Sequence, residues 1–208
     1  MNIIKYNPLF KIDYNPVSKR WHERVDCLPQ KRQDLINAPL ISKENLLVLK
    51  KSKNPVKEGD VFVVSPKEGV YFFGKVLEAD IQHIGGDPWI TGSYVICIFR
   101  QKSVSKDIKD FKPDYSNLLI SPLILTVDYW KRGWIETIGN IPLSEEEKKL
   151  DYGFYEKDYI GSEGSLYKAN GEGLKKIPKY FGSYGISTLN GLYSKIKTEL
   201  IIDPSLLE

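Results

Sequence analysis

The residues able to do chemistry are few and scattered along 208 positions. His22, in "KRWHERVDC", stands close to Cys27, and a thiol beside an imidazole is the minimal form of a cysteine nucleophile. The plainer reading is an exposed histidine and a packed thiol on an ordered arm. His83 lies in "IQHIGGDPW", a Gly-rich stretch without the strand-to-helix context of a phosphate loop, and reads as a loop histidine beside a turn. Two carboxylate pairs, Glu78 with Asp80 and Asp128 with Glu136, have the residue types for general acid and base work, but neither carries a local signature. Cys27 and Cys97 form no C-x-x-C and have no histidines spaced for zinc, so both are expected as reduced thiols, Cys97 in a strand core. The acidic run "SEEEKK" reads as a solvated helix face, because one exposed turn does not converge on a metal. No catalytic residue, metal or cofactor is called for, and the chain is expected not to be an enzyme.

Charge reads first as a solvated surface, and its distribution also suits a protein partner. Lysines mix with aromatics in "VLKKSKNPVK" and "LKKIPKYFGSYG", the pattern of a nucleic-acid surface, yet "SEEEKKLDYGFYEKDYIGSEG" is acidic and the formal charge is only +3. Segregated acidic and basic zones steer and select protein partners. No apolar run in the first residues serves as a signal-peptide core and none is long enough to cross a membrane, so a cytoplasmic location is expected.

These surfaces need elements to hold them. The share of 41% hydrophobic and 27% charged residues is that of an ordinary globular chain, and 12% aromatic residues led by tyrosine favours β structure. Residues 1–55 read as an irregular arm with one short helix in "SKENLLVLKK", capped by Ser42. Residues 56–156 read as a β-rich core. "VFVV" and "VYFFGKVLEADI" flank a turn in which Pro66 presets a negative φ and Gly69 supplies a positive one. Gly74 marks a bulge or a close backbone approach. Further strands follow in "SYVICIFRQ", in "NLLISPLILTVDYW" and in "GWIETIGNIPL", then a short helical turn in "PLSEEEKKL" capped by Ser144. Residues 157–208 read as a Tyr/Gly-rich segment and an amphipathic C-terminal helix, with Leu189, Leu192, Tyr193, Ile196 and Leu200 at helical spacing. The fold class is a β-rich α+β arrangement: a bent antiparallel sheet or small open barrel with a flanking N-terminal helix and a C-terminal helix.

The succession "VKEGDVFVVSPKEGVYFFGKVLEAD", "YVICIFRQ" and "WKRGWIETIGNIPLSEEEKKLDYGFYE", covering about residues 56–156, resembles the immunity protein 26 family. Gly59, Asp60, Phe62, Gly74, Val76, Trp134, Ile138, Gly139 and Pro142 carry the likeness. The resemblance implies a mostly β antidote of a bacterial polymorphic toxin system, which neutralises a cognate toxin domain by steric blocking. It implies no catalytic residues. On this reading Trp89 and Asp87, in the Gly-rich loop "IQHIGGDPWITGS", and Trp130 and Trp134 are the candidate partner-binding residues. Gly85, Gly86 and Gly92 make that loop adaptable, and the proline before Trp89 holds it extended. The alternatives are a Trp89 lid closing the barrel end, and Trp130 and Trp134 as core. A different class of function stays open beside the antidote: a small β-barrel nucleic-acid-binding module or ribonuclease-like toxin.

Overall fold

The four strands between Asp60 and Leu125 bury both of their faces along most of their length, which explains why their sequences are nearly continuous apolar runs rather than alternating ones. The computed structural model describes residues 11–39, 45–157 and 163–208. In chain order its elements are β1 (Lys11–Ile12), α1 (Pro16–Val25), α2 (Gln30–Asn37), β2 (Asp60–Lys67), β3 (Val70–Glu78), β4 (Tyr94–Ser103), β5 (Leu118–Leu125), α3 (Asp128–Arg132), β6 (Glu136–Asn140), β7 (Tyr152–Lys157), β8 (Gly164–Tyr167), β9 (Tyr180–Ser183) and α4 (Gly191–Ile202). Five strands form an antiparallel sheet in the order β5-β4-β3-β2-β6. The sheet is open, with β5 and β6 at its edges, and does not close into a barrel. A second sheet, β1-β8-β7-β9, is antiparallel except between β7 and β9. Among the described residues no helix is long and apolar enough to cross a membrane.

The period of two along each central strand feeds two separate cores. Phe62, Val64, Phe72, Val76, Ile96 and Ile98 face a cluster completed by Tyr129 and Trp130 and by Leu192, Ile196 and Leu200 of α4. Val61, Val63, Phe73, Leu77, Val95, Cys97 and Phe99 face the opposite cluster, completed by Phe111, Leu143 and Phe154 of the second sheet. Each fully buried aliphatic or aromatic side chain here contributes about 1.5–3 kcal/mol. The C-terminal helix therefore packs on the sheet as its spacing predicts, through residues four apart.

The opening hairpin turns at Glu68 and Gly69, with Gly69 at φ +76°, as expected. Pro66 sits within β2, where the register against β3 shifts between Val64 and Lys67, a bulge that spares it a ladder hydrogen bond. Gly74 is a close approach: a Cβ there would lie 2.2 Å from the Phe62 ring and 2.7 Å from the carbonyl oxygen of Cys97. The ladder is irregular on either side of Gly74, between Phe72 and Gly74 and between Val76 and Glu78 against β4. These irregularities bend the sheet.

The arm corrects two expectations. Ser42 lies outside the described residues, and the leucines after it form no helix: the amides of Leu47 and Leu49 donate to the carbonyls of Ser65 and Gly133, each at 2.8 Å. Long-range hydrogen bonds and burial of Leu46 outweigh local helix propensity there. Helices stand earlier instead. Asn15 caps α1, its Oδ1 accepting the amides of Val17 and Ser18 at 3.0 Å, and Pro16 occupies the first helical position.

Candidate functional site

The candidate surface is the loop that joins β3 to β4. Its base is closed by a hydrogen bond from the Ile81 amide to the Ser93 carbonyl at 3.0 Å and another from the Gly92 amide to the Ile81 carbonyl at 2.9 Å. Inside it, Nδ1 of His83 accepts the amides of Gly85 and Asp87, both at 3.1 Å. A backbone amide can only donate, so Nδ1 carries the lone pair and Nε2 carries the hydrogen, which points at the Tyr184 hydroxyl 2.8 Å away. The Ile84 amide donates to the Asn170 carbonyl at 2.9 Å and ties the loop to the turn after β8.

Asp87 continues this bracing. Its Oδ1 accepts the Trp89 amide at 2.8 Å and its carbonyl accepts the Thr91 amide at 3.0 Å, so Trp89 sits within a tight turn rather than in the extended conformation expected after Pro88. The Trp89 ring is 79% exposed. It closes no barrel end, and the lid reading is set aside. A hollow of about 480 Å³ lies beside it, lined also by Thr126, Asp128, Ile186 and Leu189. A large aromatic ring in solvent on a hydrogen-bonded loop offers contact area whose ordering cost has been met in advance.

The other two tryptophans serve differently. Trp130 is 1% exposed; its indole N–H donates to Thr137 Oγ1 at 3.0 Å and its ring meets Phe62 edge-on at 6.0 Å. It offers no surface to a partner, because the core around α3 requires its volume. Trp134 is half-buried, with its ring against Tyr129 at 5.8 Å and the Arg132 guanidinium 5.3 Å from its centroid.

Among the described residues, His22, Cys27, Glu136, Asp128 and Glu78 each bond to a group other than the suggested catalytic partner. His22 faces Asp26 at 3.3 Å, while the Cys27 thiol donates to the Arg24 carbonyl. Glu136 pairs with Lys106 at 2.8 Å, and Asp128 lies 3.9 Å from Lys131. Glu78 accepts the Tyr152 hydroxyl; burial raises its pKa, and that hydrogen bond opposes the rise. Burial likewise pushes the Cys97 thiol up, as befits an inert core cysteine. Among the described residues no three metal-ligating side chains converge.

One buried ion pair is not announced by the sequence. Lys75, 1% exposed in the middle of β3, donates to both carboxylate oxygens of Glu147 at 2.8 Å, and the Tyr115 hydroxyl donates to the same carboxylate at 2.7 Å. Glu147 also accepts the Ser144 amide while Ser144 Oγ accepts the Glu147 amide, a reciprocal capping box that the pattern S-x-x-E announces. Lys75 is sealed inside the strand while Glu147 borders a hollow of about 530 Å³ shared with Glu78 and Tyr152, so the pair ties the turn to the sheet.

No curated protein and no solved structure matches the chain. The sequence model of immunity protein 26 matches residues 57–164, more than half of the chain, from the entrance of β2 to the first residue of β8. The matched stretch contains the whole five-stranded sheet, the Trp89 loop and the Glu147 turn, whereas α1, α2, β9 and α4 lie outside it. The chain belongs to the immunity protein 26 family.

Proposed function

We propose that this chain is the antidote of a bacterial polymorphic toxin system, binding a cognate toxin domain in the cytoplasm and blocking it without chemistry of its own. Membership of an immunity-protein family is the observation that carries the reading. The exposed Trp89 ring on its braced loop supports it, because hot spots concentrate in rigid aromatics and the ring has no structural duty that would explain its exposure. Trp89 acts as the anchor and Asp87 as the residue that positions it. A blocking antidote needs no converging nucleophile, base and oxyanion donor, only a surface complementary to the toxin.

Co-expression with the toxin domain encoded by a neighbouring gene tests the proposal. The chain should restore growth, co-purify with the toxin in a fixed ratio and leave the toxin's intact mass unchanged. Protection by a small fraction of one equivalent, or a covalently altered toxin, would overturn blocking in favour of catalysis. Cleavage of RNA or DNA by the purified chain, lost on substitution of one carboxylate or histidine, would overturn the antidote reading altogether.

A further inference from the structure

A cleft of about 330 Å³ runs between α1, β5, β9 and α4. Its floor is apolar, with Leu119 and Leu123 among the lining residues, and its charges are unbalanced. Arg20, Arg24 and Lys195 line it, against the single carboxylate of Glu199. That carboxylate is fully engaged: Arg24 holds both of its oxygens at 2.7 Å, and Arg100 donates to Oε2 at 2.6 Å while reaching Asp203 at 3.2 Å. Arg20 donates to the Phe181 carbonyl at 2.8 Å and stacks on the Phe181 ring at 4.5 Å. Among the described residues neither Arg20 nor Lys195 has a carboxylate within ion-pair distance.

Like charges gathered in partly desolvated surroundings raise the free energy of the empty cleft. The pKa of the half-buried Arg20 is lowered by burial and then by the Arg24 charge, with Glu199 opposing; that of Lys195, an exposed residue, is lowered by local desolvation at the cleft wall and then by the Arg20 charge. An external carboxylate would relieve both, and the planar Arg20 fork suits two-point recognition of one. Trp21 at the rim is 41% exposed and supplies an aromatic flank. Three of the cleft's four walls, α1, β9 and α4, lie outside the stretch 57–164 that the family model matches.

We propose that this cleft docks an acidic segment of the protein partner, with an aspartate or glutamate side chain seated between Arg20 and Lys195. The inference rests on the toxin-binding reading and names the chemistry of the partner's contact. It is tested on the full chain by calorimetric titration and amide chemical shifts with hexaglutamate at low salt, beside hexaglutamine and the oligonucleotide hexathymidylate. Saturable hexaglutamate binding is expected, weakening as salt rises, with shifts centred on residues 20, 24 and 195. Arg20→Gln and Lys195→Gln should each weaken it by about tenfold or more. Lys195→Gln should leave the thermal midpoint unchanged or raised, since it removes a like charge, and so keeps the test free of any folding defect in Arg20→Gln. Hexaglutamate binding no tighter than hexaglutamine, or insensitive to both substitutions, would overturn the proposal. Tighter hexathymidylate binding through the same two residues would replace the acidic protein segment with nucleic acid. A toxin domain bound equally by the wild type and both variants would remove the cleft from the interface and leave toxin binding standing. Hexaglutamate binding without any toxin binding would sink the antidote reading instead.

Discussion

Lys75 and Glu147 meet at 2.8 Å through both carboxylate oxygens, joining the middle of the central strand β3 to the 3₁₀ turn Glu147–Lys149 that follows the fifth strand of the sheet. The lysine is 1% exposed and the glutamate side chain 11%. Removing one partner strands the other, which costs about 3–5 kcal/mol when the survivor is buried and charged. Glu147→Gln is therefore expected to lower the thermal midpoint strongly, and Lys75→Met similarly. The double substitution should be much less damaging than the two single losses added together, because no lone charge remains. Denaturant melts of the four proteins measure this; additive losses would show that the pair is not coupled.

Acid titration gives a second expectation, with opposite signs at two carboxylates. Burial raises the Glu147 pKa, but Lys75, the Ser144 amide and the Tyr115 hydroxyl outweigh it and hold the group below the ordinary glutamate value. Its stabilising contribution is complete above the unfolded-state pKa and is lost as the pH falls through the lower folded one. Glu78 runs the other way: its folded pKa is raised by burial, so its contribution is complete below the unfolded value and is lost as the pH rises through the folded one. Glu78→Gln, which keeps an acceptor for Tyr152, should then raise the midpoint at neutral pH and change it little at acid pH. A midpoint that falls at neutral pH would show that the charged carboxylate is the form the fold prefers.

Much of the sheet is legible because its signals are local. The turn at Gly69, the β-branched runs around it, the capping box of Ser144 and Glu147 and the spacing of Leu192, Ile196 and Leu200 all depend on neighbours within a few residues. Asn15 and Pro16 are an equally local helix start, passed over because the surrounding arm is polar. What the sequence does not display is long-range pairing. Leu47 and Leu49 leave the helical pattern because their amides reach the carbonyls of Ser65 and Gly133, and Arg24 finds Glu199 across 175 positions. Lys75 reads as a solvated strand residue until the Glu147 turn is folded over it. The exposure of Trp89 and the burial of Trp130 are equally matters of tertiary packing, since both residues lie among polar residues close to a turn glycine.

The Trp89 loop separates anchoring from bracing. With its ring 79% exposed, Trp89→Ala should leave the thermal midpoint nearly unchanged while weakening toxin binding by about 2 kcal/mol or more. His83→Leu removes the acceptor for the Gly85 and Asp87 amides, so those amides should exchange faster and stability should fall by about 1–2 kcal/mol. Its effect on binding should be smaller than that of Trp89→Ala, because the ring survives and only its preorganisation is lost. Calorimetric titration alongside hydrogen exchange reads both; a Trp89→Ala protein that binds normally would take the ring out of the interface.

Gly74 supplies the sharpest steric test. Its φ is ordinary, so alanine is not excluded by backbone conformation; the obstacle is space. A Cβ would stand 2.2 Å from the Phe62 ring and 2.7 Å from the Cys97 carbonyl, against contact distances of about 3.5–4.0 Å for unstrained neighbours. Gly74→Ala should therefore cost about 1–3 kcal/mol or more by forcing β3, β4 and the Phe62 ring apart. The two clashes differ in kind, since a ring can be shortened and a ladder carbonyl cannot. Phe62→Leu combined with Gly74→Ala should recover only part of the loss, after correction for the cost of Phe62→Leu alone. Full recovery would mean that the ring was the whole obstacle, and no loss in Gly74→Ala itself would mean that the strands slide freely at this point, contrary to the tight crossing of Phe62 over β3.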